Sequence, residues 1–218
     1  MKKYELTSEV KVKFGVTFKR IRALIDFGNV KKGELGGFIE KEENLSHENN
    51  AWVYDDAKVY GNAEVSGNAR VYSDAWVYGN AKVYDDAWVY GNAWVYGNAR
   101  VSDDAEVSGN ARVSGNARVS GNARVYGNAR VSGNARVSGN AEVSGNADYV
   151  LIGRIGSRFG FTTFFRNKNN EIYVSCGCFL GTLAKFRKKV KETHGTDTKY
   201  AKVYQAAADL AEMQILNQ

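Results

Sequence analysis

From Ala51 to Asn146 the chain repeats one six-residue unit sixteen times without an insertion, each copy reading Ala, a variable residue, Val, Tyr or Ser, then a two-residue turn. Small and apolar residues alternate with polar or aromatic ones, the two-residue period of a strand with one buried face. Ala and Val are expected to point inward, and the variable residue and Tyr/Ser outward. The turn is mostly Gly-Asn, as at Gly61-Asn62, Gly79-Asn80 and Gly115-Asn116, residue types that accept positive φ and bend the chain sharply. Each unit is therefore one short strand and one corner. A strand burying only Ala and Val cannot stand alone, so successive units must stack into a solenoid around one narrow core.

The pattern resembles the hexapeptide repeat of left-handed parallel β-helices, in which an aliphatic residue and a small residue four positions later face inward, here Val59 with Ala63 or Val113 with Ala117. The resemblance implies a mainly β fold, a left-handed parallel β-helix in which three hexapeptides make one coil. With rungs about 4.8 Å apart, the repeats alone would form a prism roughly 25 Å long. Gly36-Gly37-Phe38-Ile39 and the entry Trp52-Val53-Tyr54-Asp55-Asp56-Ala57 are similar to a group of bacterial and prophage hexapeptide-repeat proteins that are labelled acyltransferase-like by analogy of fold. A phage or prophage source is what that likeness implies. The expected organisation is an N-terminal β cap over residues 1–35, the β-helix over 36–148, and a small α+β domain over 149–218.

The alternation of Val10, Val12, Phe14, Val16 and Phe18, then of Ile21, Ala23, Ile25 and Phe27, predicts two or three strands. These would cover the open edge of the solenoid, which would otherwise invite edge-to-edge association. Beyond the repeats, residues 149–155, 160–166 and 171–176 read as strands. Thr182 reads as an N-cap for a helix with Leu183, Phe186 and Val190 on one face and Gly195 as its stop. A second helix is expected from about Thr198 to Leu216, burying Tyr200, Val203, Tyr204, Ala207 and Leu210. The run Gly177-Cys178-Phe179-Leu180-Gly181-Thr182-Leu183 is similar to C-terminal modules of phage proteins.

Cys176 and Cys178, with no further cysteine, imply neither a disulfide framework nor a zinc site. No secretion signal or membrane-length apolar run is read in the sequence, so a cytoplasmic location is expected. The net charge of +6 is uneven: residues 149–218 carry eleven Lys/Arg against five Asp/Glu, while residues 51–148 carry nine against eleven.

Stacking every third hexad sorts the variable positions into three columns. Face A carries Lys58, Trp76, Trp94, Arg112 and Arg130, flanked by Tyr60, Tyr78 and Tyr96. Face B carries Glu64, then Lys82, Arg100, Arg118 and Arg136 in unbroken succession. Face C carries Trp52, Arg70, Trp88, Glu106, Arg124 and Glu142, whose upper charges alternate and would attract. On face B like charges stand opposite on neighbouring strands, an unfavourable arrangement that calls for an anionic partner; the alternative is that the long Arg stems splay into water. The candidate binding residues are therefore Lys82, Arg100, Arg118, Arg136, Trp76, Trp94, Tyr78, Tyr96, Arg112 and Arg130.

The aromatic patch of face A has the composition of a protein interface, and a homotrimer packed through it is expected, trimers being usual among hexapeptide β-helices. Basic ladders beside aromatics also fit nucleic acid. That reading is less favoured, because the repeats are net acidic and the roughly 4.8 Å rung spacing does not match the roughly 3.4 Å rise of duplex DNA. Asp85, Asp86, Asp103 and Asp104 meet at one corner and would offer oxygens to a hard cation, although Asp is an ordinary turn residue. No cofactor or metal is assigned.

Hexapeptide acyltransferases use a histidine as general base, carried on or near loops that interrupt the coils. Here the histidines are His47 and His194, and the repeats have no such loop. The expectation is a non-enzymatic binding or scaffold protein that presents its ladders to a host protein or anionic ligand, antagonism of a host defence being one version. The alternatives are an acyltransferase-like enzyme using His47 or His194, and a self-assembling structural component.

Overall fold

The computed structural model describes residues 2–216. The repeats form sixteen two-residue strands, β4 (Trp52–Val53) through β19 (Glu142–Val143). Each pairs in parallel with the strand three hexads away, as Val77 with Val95 and Val95 with Val113. The strands collect into three sheets whose outward columns are faces A, B and C. Backbone bonds run from coil to coil: Trp76 N–H donates to the Ala93 carbonyl at 2.9 Å, and Tyr78 N–H to that of Val95 at 3.0 Å. Every Ala and Val of the repeat is at most 1% exposed, so the core is built from one small and one β-branched residue per side.

The corners explain the Gly-Asn pairs. Gly115 has φ +66°, and a Cβ there would lie 2.9 Å from the Gly133 nitrogen in the next coil, so both conformation and spacing favour glycine. The asparagines form an amide ladder: Asn62, Asn80, Asn98 and Asn116 each donate to the next asparagine oxygen, ending at Asn134, over 3.0–3.2 Å.

At the N-terminal end, β1 (Tyr4–Lys13) and β2 (Val16–Ala23) form a hairpin whose tip, Phe14-Gly15, has positive φ at both residues. β2 pairs antiparallel with β3 (Leu35–Ile39), and β3 lies parallel to the first rung of face A, Phe38 opposite Lys58. That pairing, like Leu45 opposite Val65, spans two positions more than the three hexads that separate Trp52 from its partner Arg70. The entry coil thus holds two extra residues between Leu45 and Trp52, in a corner where Asn49 takes φ +54°.

Three of the variable positions are covered, contrary to the simple alternation. Trp52, Lys58 and Trp76 are 0%, 3% and 9% exposed. Trp52 lies beneath Phe27 and Tyr4, with ring centroids at 5.3 and 6.0 Å. Trp76 is met by Phe18 and Phe14 of the hairpin at 6.0 and 5.7 Å. The cap therefore folds down over the flank of the solenoid as well as across its edge, β2 burying Phe18, Ile21 and Ala23, whereas Val10 and Val12 of β1, read as part of the same apolar alternation, are 51% and 67% exposed.

At the other end, β20 (Tyr149–Ile155), β21 (Gly160–Arg166), β22 (Ile172–Cys176) and β23 (Phe179–Thr182) make an antiparallel sheet in sequence order. The fourth strand falls within the Gly177–Leu183 run, beyond the three strands that the sequence predicts. Phe165 closes the last coil together with Tyr149, Leu151 and Tyr173, while Phe164, Ile172 and Val174 face the helices α1 (Leu183–His194) and α2 (Lys199–Leu216). Thr182 Oγ1 accepts from Lys185 N–H at 3.3 Å, and Gly195 ends α1 with φ +76°, as the sequence indicates. The buried stripe of α2 differs from expectation. It is Ala201, Ala207, Ala208, Ala211 and Ile215, whereas Tyr200 and Leu210 are 38% and 51% exposed. Alanines on the inner face let the helix lie close to the sheet, which turns the larger residues outward.

Candidate functional site

Face B holds its column in register: Lys82 opposite Arg100, Arg100 opposite Arg118, Arg118 opposite Arg136. The four side chains are exposed. Lys82 is neutralised by Glu64, Nζ to Oε2 at 2.7 Å, so the free part of the ladder begins at Arg100. Among the described residues, neither Arg100 nor Arg118 has an ion pair. Arg136 anchors the top: its backbone N–H donates to Thr163 Oγ1 at 2.9 Å, and its guanidinium donates to the Gly177 carbonyl at 3.4 Å. Where the ladder meets the C-terminal sheet, Arg118, Arg136, Asn116, Asn134 and Phe161 line a cavity of about 330 Å³ with no carboxylate in its wall. Sequence reading missed Asn116, Asn134 and Phe161, since nothing local says which solenoid face the C-terminal sheet will overhang.

Face A is a different surface from the one expected. Trp76, a candidate binding residue, is sealed beneath the hairpin, with Lys13 and Lys58 ammonium groups 5.7 and 5.1 Å from its ring. Above it, Tyr60, Tyr78 and Tyr96 stack with centroids 4.9 and 5.0 Å apart. Burial, with the neighbouring tyrosines, pushes the Tyr78 phenol up to about 12. Arg112 covers Trp94 at 5.0 Å. Arg130 is tied by its backbone, the carbonyl accepting from Tyr149 OH at 2.6 Å and the N–H donating to Asn146 Oδ1 at 2.9 Å. Much of the aromatic patch is thus partnered within the chain.

On face C one of the two expected attractions forms: Arg124 lies 3.5 Å from Glu106, and Tyr90 OH also donates to Glu106 at 3.1 Å. Glu142 has no such pair among the described residues. The corner carboxylates serve the stack, Asp86 accepting from the Asn68 amide at 3.1 Å and Asp103 from Gly121 N–H at 2.9 Å. Among the described residues no group of three or more His, Cys, Asp or Glu is placed to hold a metal.

His47 sits in the entry-coil insertion. Its Nδ1 accepts from Lys3 N–H at 3.2 Å and its ring stacks on Tyr4 at 4.3 Å. Burial lowers its pKa, opposed by Glu42, whose carboxylate lies 3.8 Å from Nε2. His194 stacks on Tyr204 at 5.7 Å in the C-terminal domain. The two histidines lie at opposite ends of the molecule and share no site.

The YdcK β-solenoid repeat family matches at residues 63–79 and, through overlapping copies, across 105–145. The chain carries a hexapeptide-repeat β-helix of this bacterial type. A curated relative, the "Uncharacterized acetyltransferase YdcK" of Escherichia coli (strain K12), is 36% identical over 63 residues, 25% of this chain and 19% of the relative. The match therefore spans about a fifth of the relative's length. No helix among the described residues is long and apolar enough to cross a membrane.

Proposed function

We propose that this hexapeptide-repeat protein is a non-catalytic binding scaffold whose face B engages an anionic partner, either an acidic protein surface or a polyanion. The observation that carries the reading is the register of Arg100, Arg118 and Arg136 with no carboxylate among them. Like charges held opposite each other disfavour the fold, and an anion lying along the column would relieve them together. Both ends of the solenoid are closed by the chain's own segments, which leaves the flanks for recognition. Face A, where Trp94, Tyr78 and Tyr96 continue above the hairpin, is the surface for homotrimer packing.

The test is capture on immobilised heparin and from cell lysate by the intact protein, by an Arg100→Glu/Arg118→Glu variant, and by a control carrying Lys168→Glu and Lys185→Glu. Retention by the intact protein and the control, lost in the ladder variant, supports face B. Equal loss in both variants reduces the effect to net charge and defeats the assignment.

The relative's name favours a second reading, acetyl transfer with His47 or His194 as general base. His47→Ala and His194→Ala variants, assayed for acetylation with a panel of amine and hydroxyl acceptors, decide it. An activity present in the intact protein and lost in either variant would establish the enzyme.

A further inference from the structure

A second cavity, of about 310 Å³, opens in the C-terminal domain between the Cys176–Phe179 turn and the two helices, and meets the ladder cavity at Gly160, Phe161 and Gly177. Its apolar wall is a ring cluster: Phe179 and Tyr204 lie 5.6 and 5.7 Å from Phe186, and His194 stacks on Tyr204. At its rim stand Arg158 and Lys189, exposed and without an ion pair among the described residues. No Asp or Glu lines it. A Cβ added at Gly160 or Gly177 would meet nothing within 4 Å, so both glycines border open space.

We propose that this cavity binds a small aromatic anion, one ring seated against Phe179, Phe186 and Tyr204 with its phosphate, sulfonate or carboxylate held by Arg158 and Lys189. Rings offer edges and faces to a seated ring at favourable geometry, and two cations without a counter-carboxylate give the anion charge-assisted bonds. The volume lies at the lower end for small-ligand pockets, roughly 300–1,000 Å³, which suits a single ring and its charged group better than a long chain. The site is distinct from the arginine ladder and stands whether or not face B binds a polyanion.

Phenyl phosphate, titrated calorimetrically into the full chain, tests it, with inorganic phosphate and phenol as the two halves of the ligand. Binding about tenfold or more tighter than inorganic phosphate is expected, since a buried ring adds more than the roughly 1.4 kcal/mol that a tenfold change represents. Arg158→Gln and Lys189→Gln, both at exposed positions, should each weaken it about fivefold to tenfold, and Gly160→Leu should block it. The Arg100→Glu/Arg118→Glu variant should weaken it less than either rim substitution, because Arg118 lines the adjoining cavity and not this one, which separates this site from the ladder. Phenyl phosphate should also slow alkylation of Cys178, which lines the cavity. The proposal is overturned if phenyl phosphate binds no better than inorganic phosphate, if its affinity ignores both rim substitutions, or if it follows the ladder variant instead.

Discussion

Arg100 and Arg118 are direct register partners on adjacent parallel strands, and among the described residues neither guanidinium meets a carboxylate. A repeat built only for stability would place opposite charges there, as face C does where Arg124 reaches Glu106 at 3.5 Å.

Arg118→Glu should therefore stabilise the protein, because it sets a carboxylate between Arg100 and Arg136. The gain expected is about 0.2–1 kcal/mol at low ionic strength, shrinking as salt screens it. Urea midpoints at low and high salt check this. An unchanged or lowered midpoint at low salt would mean that the column is not under repulsion.

The hairpin depends on Phe18, which is fully buried against Trp76. Phe18→Ala should cost about 3–5 kcal/mol locally, as for other buried aromatics. The β1–β2 hairpin should become sensitive to protease while the solenoid persists, and Trp76 emission should shift to the red. Uniform loss of the whole structure would show that cap and solenoid unfold together.

Gly36 lies where an added Cβ would come 2.5 Å from the Val53 carbonyl oxygen. Backbone cannot yield as a side-chain tip can, so Gly36→Ala should destabilise the entry coil by at least the roughly 1–3 kcal/mol of ordinary overpacking. Thermal unfolding of the variant measures it; a wild-type melting temperature would contradict the close approach of β3 to the first coil.

Lys3 is 1% exposed, its ammonium 2.8 Å from the Ala51 carbonyl. Burial pushes its pKa down from 10.5 to about 8. Between those values the unfolded chain binds more protons than the folded one, so this residue's contribution rises with pH across the window and its penalty is full below about 8. The stability of the protein relative to a Lys3→Met variant should thus increase from pH 7.5 to 9.5. A constant difference would remove Lys3 as a titrating group of the cap.

The repeat made the solenoid legible because one hexad fixes its own strand, corner and stacking partner. Thr182 and Gly195 were legible for the same local reason, as helix signals. What escaped were contacts between segments distant in sequence: Phe18 and Phe14 descending on Trp76, the two added residues between Leu45 and Trp52, and the sheet edge that brings Phe161 beside Arg118. The inner face of α2 escaped because its alanines carry little pattern beside the larger Tyr200 and Leu210. Of the candidate site, the columns and their register could be read, but not which members the cap would seal or which charge Glu64 would neutralise.

The most direct measurement is the salt dependence of heparin binding by the intact protein and by Arg100→Gln/Arg118→Gln. If face B is the binding surface, the plot of log affinity against log salt flattens in the variant, as expected when phosphate-like or sulfate contacts are lost, and affinity falls by about tenfold or more. Identical slopes and affinities for the two proteins would show that the arginine ladder is not where an anion binds.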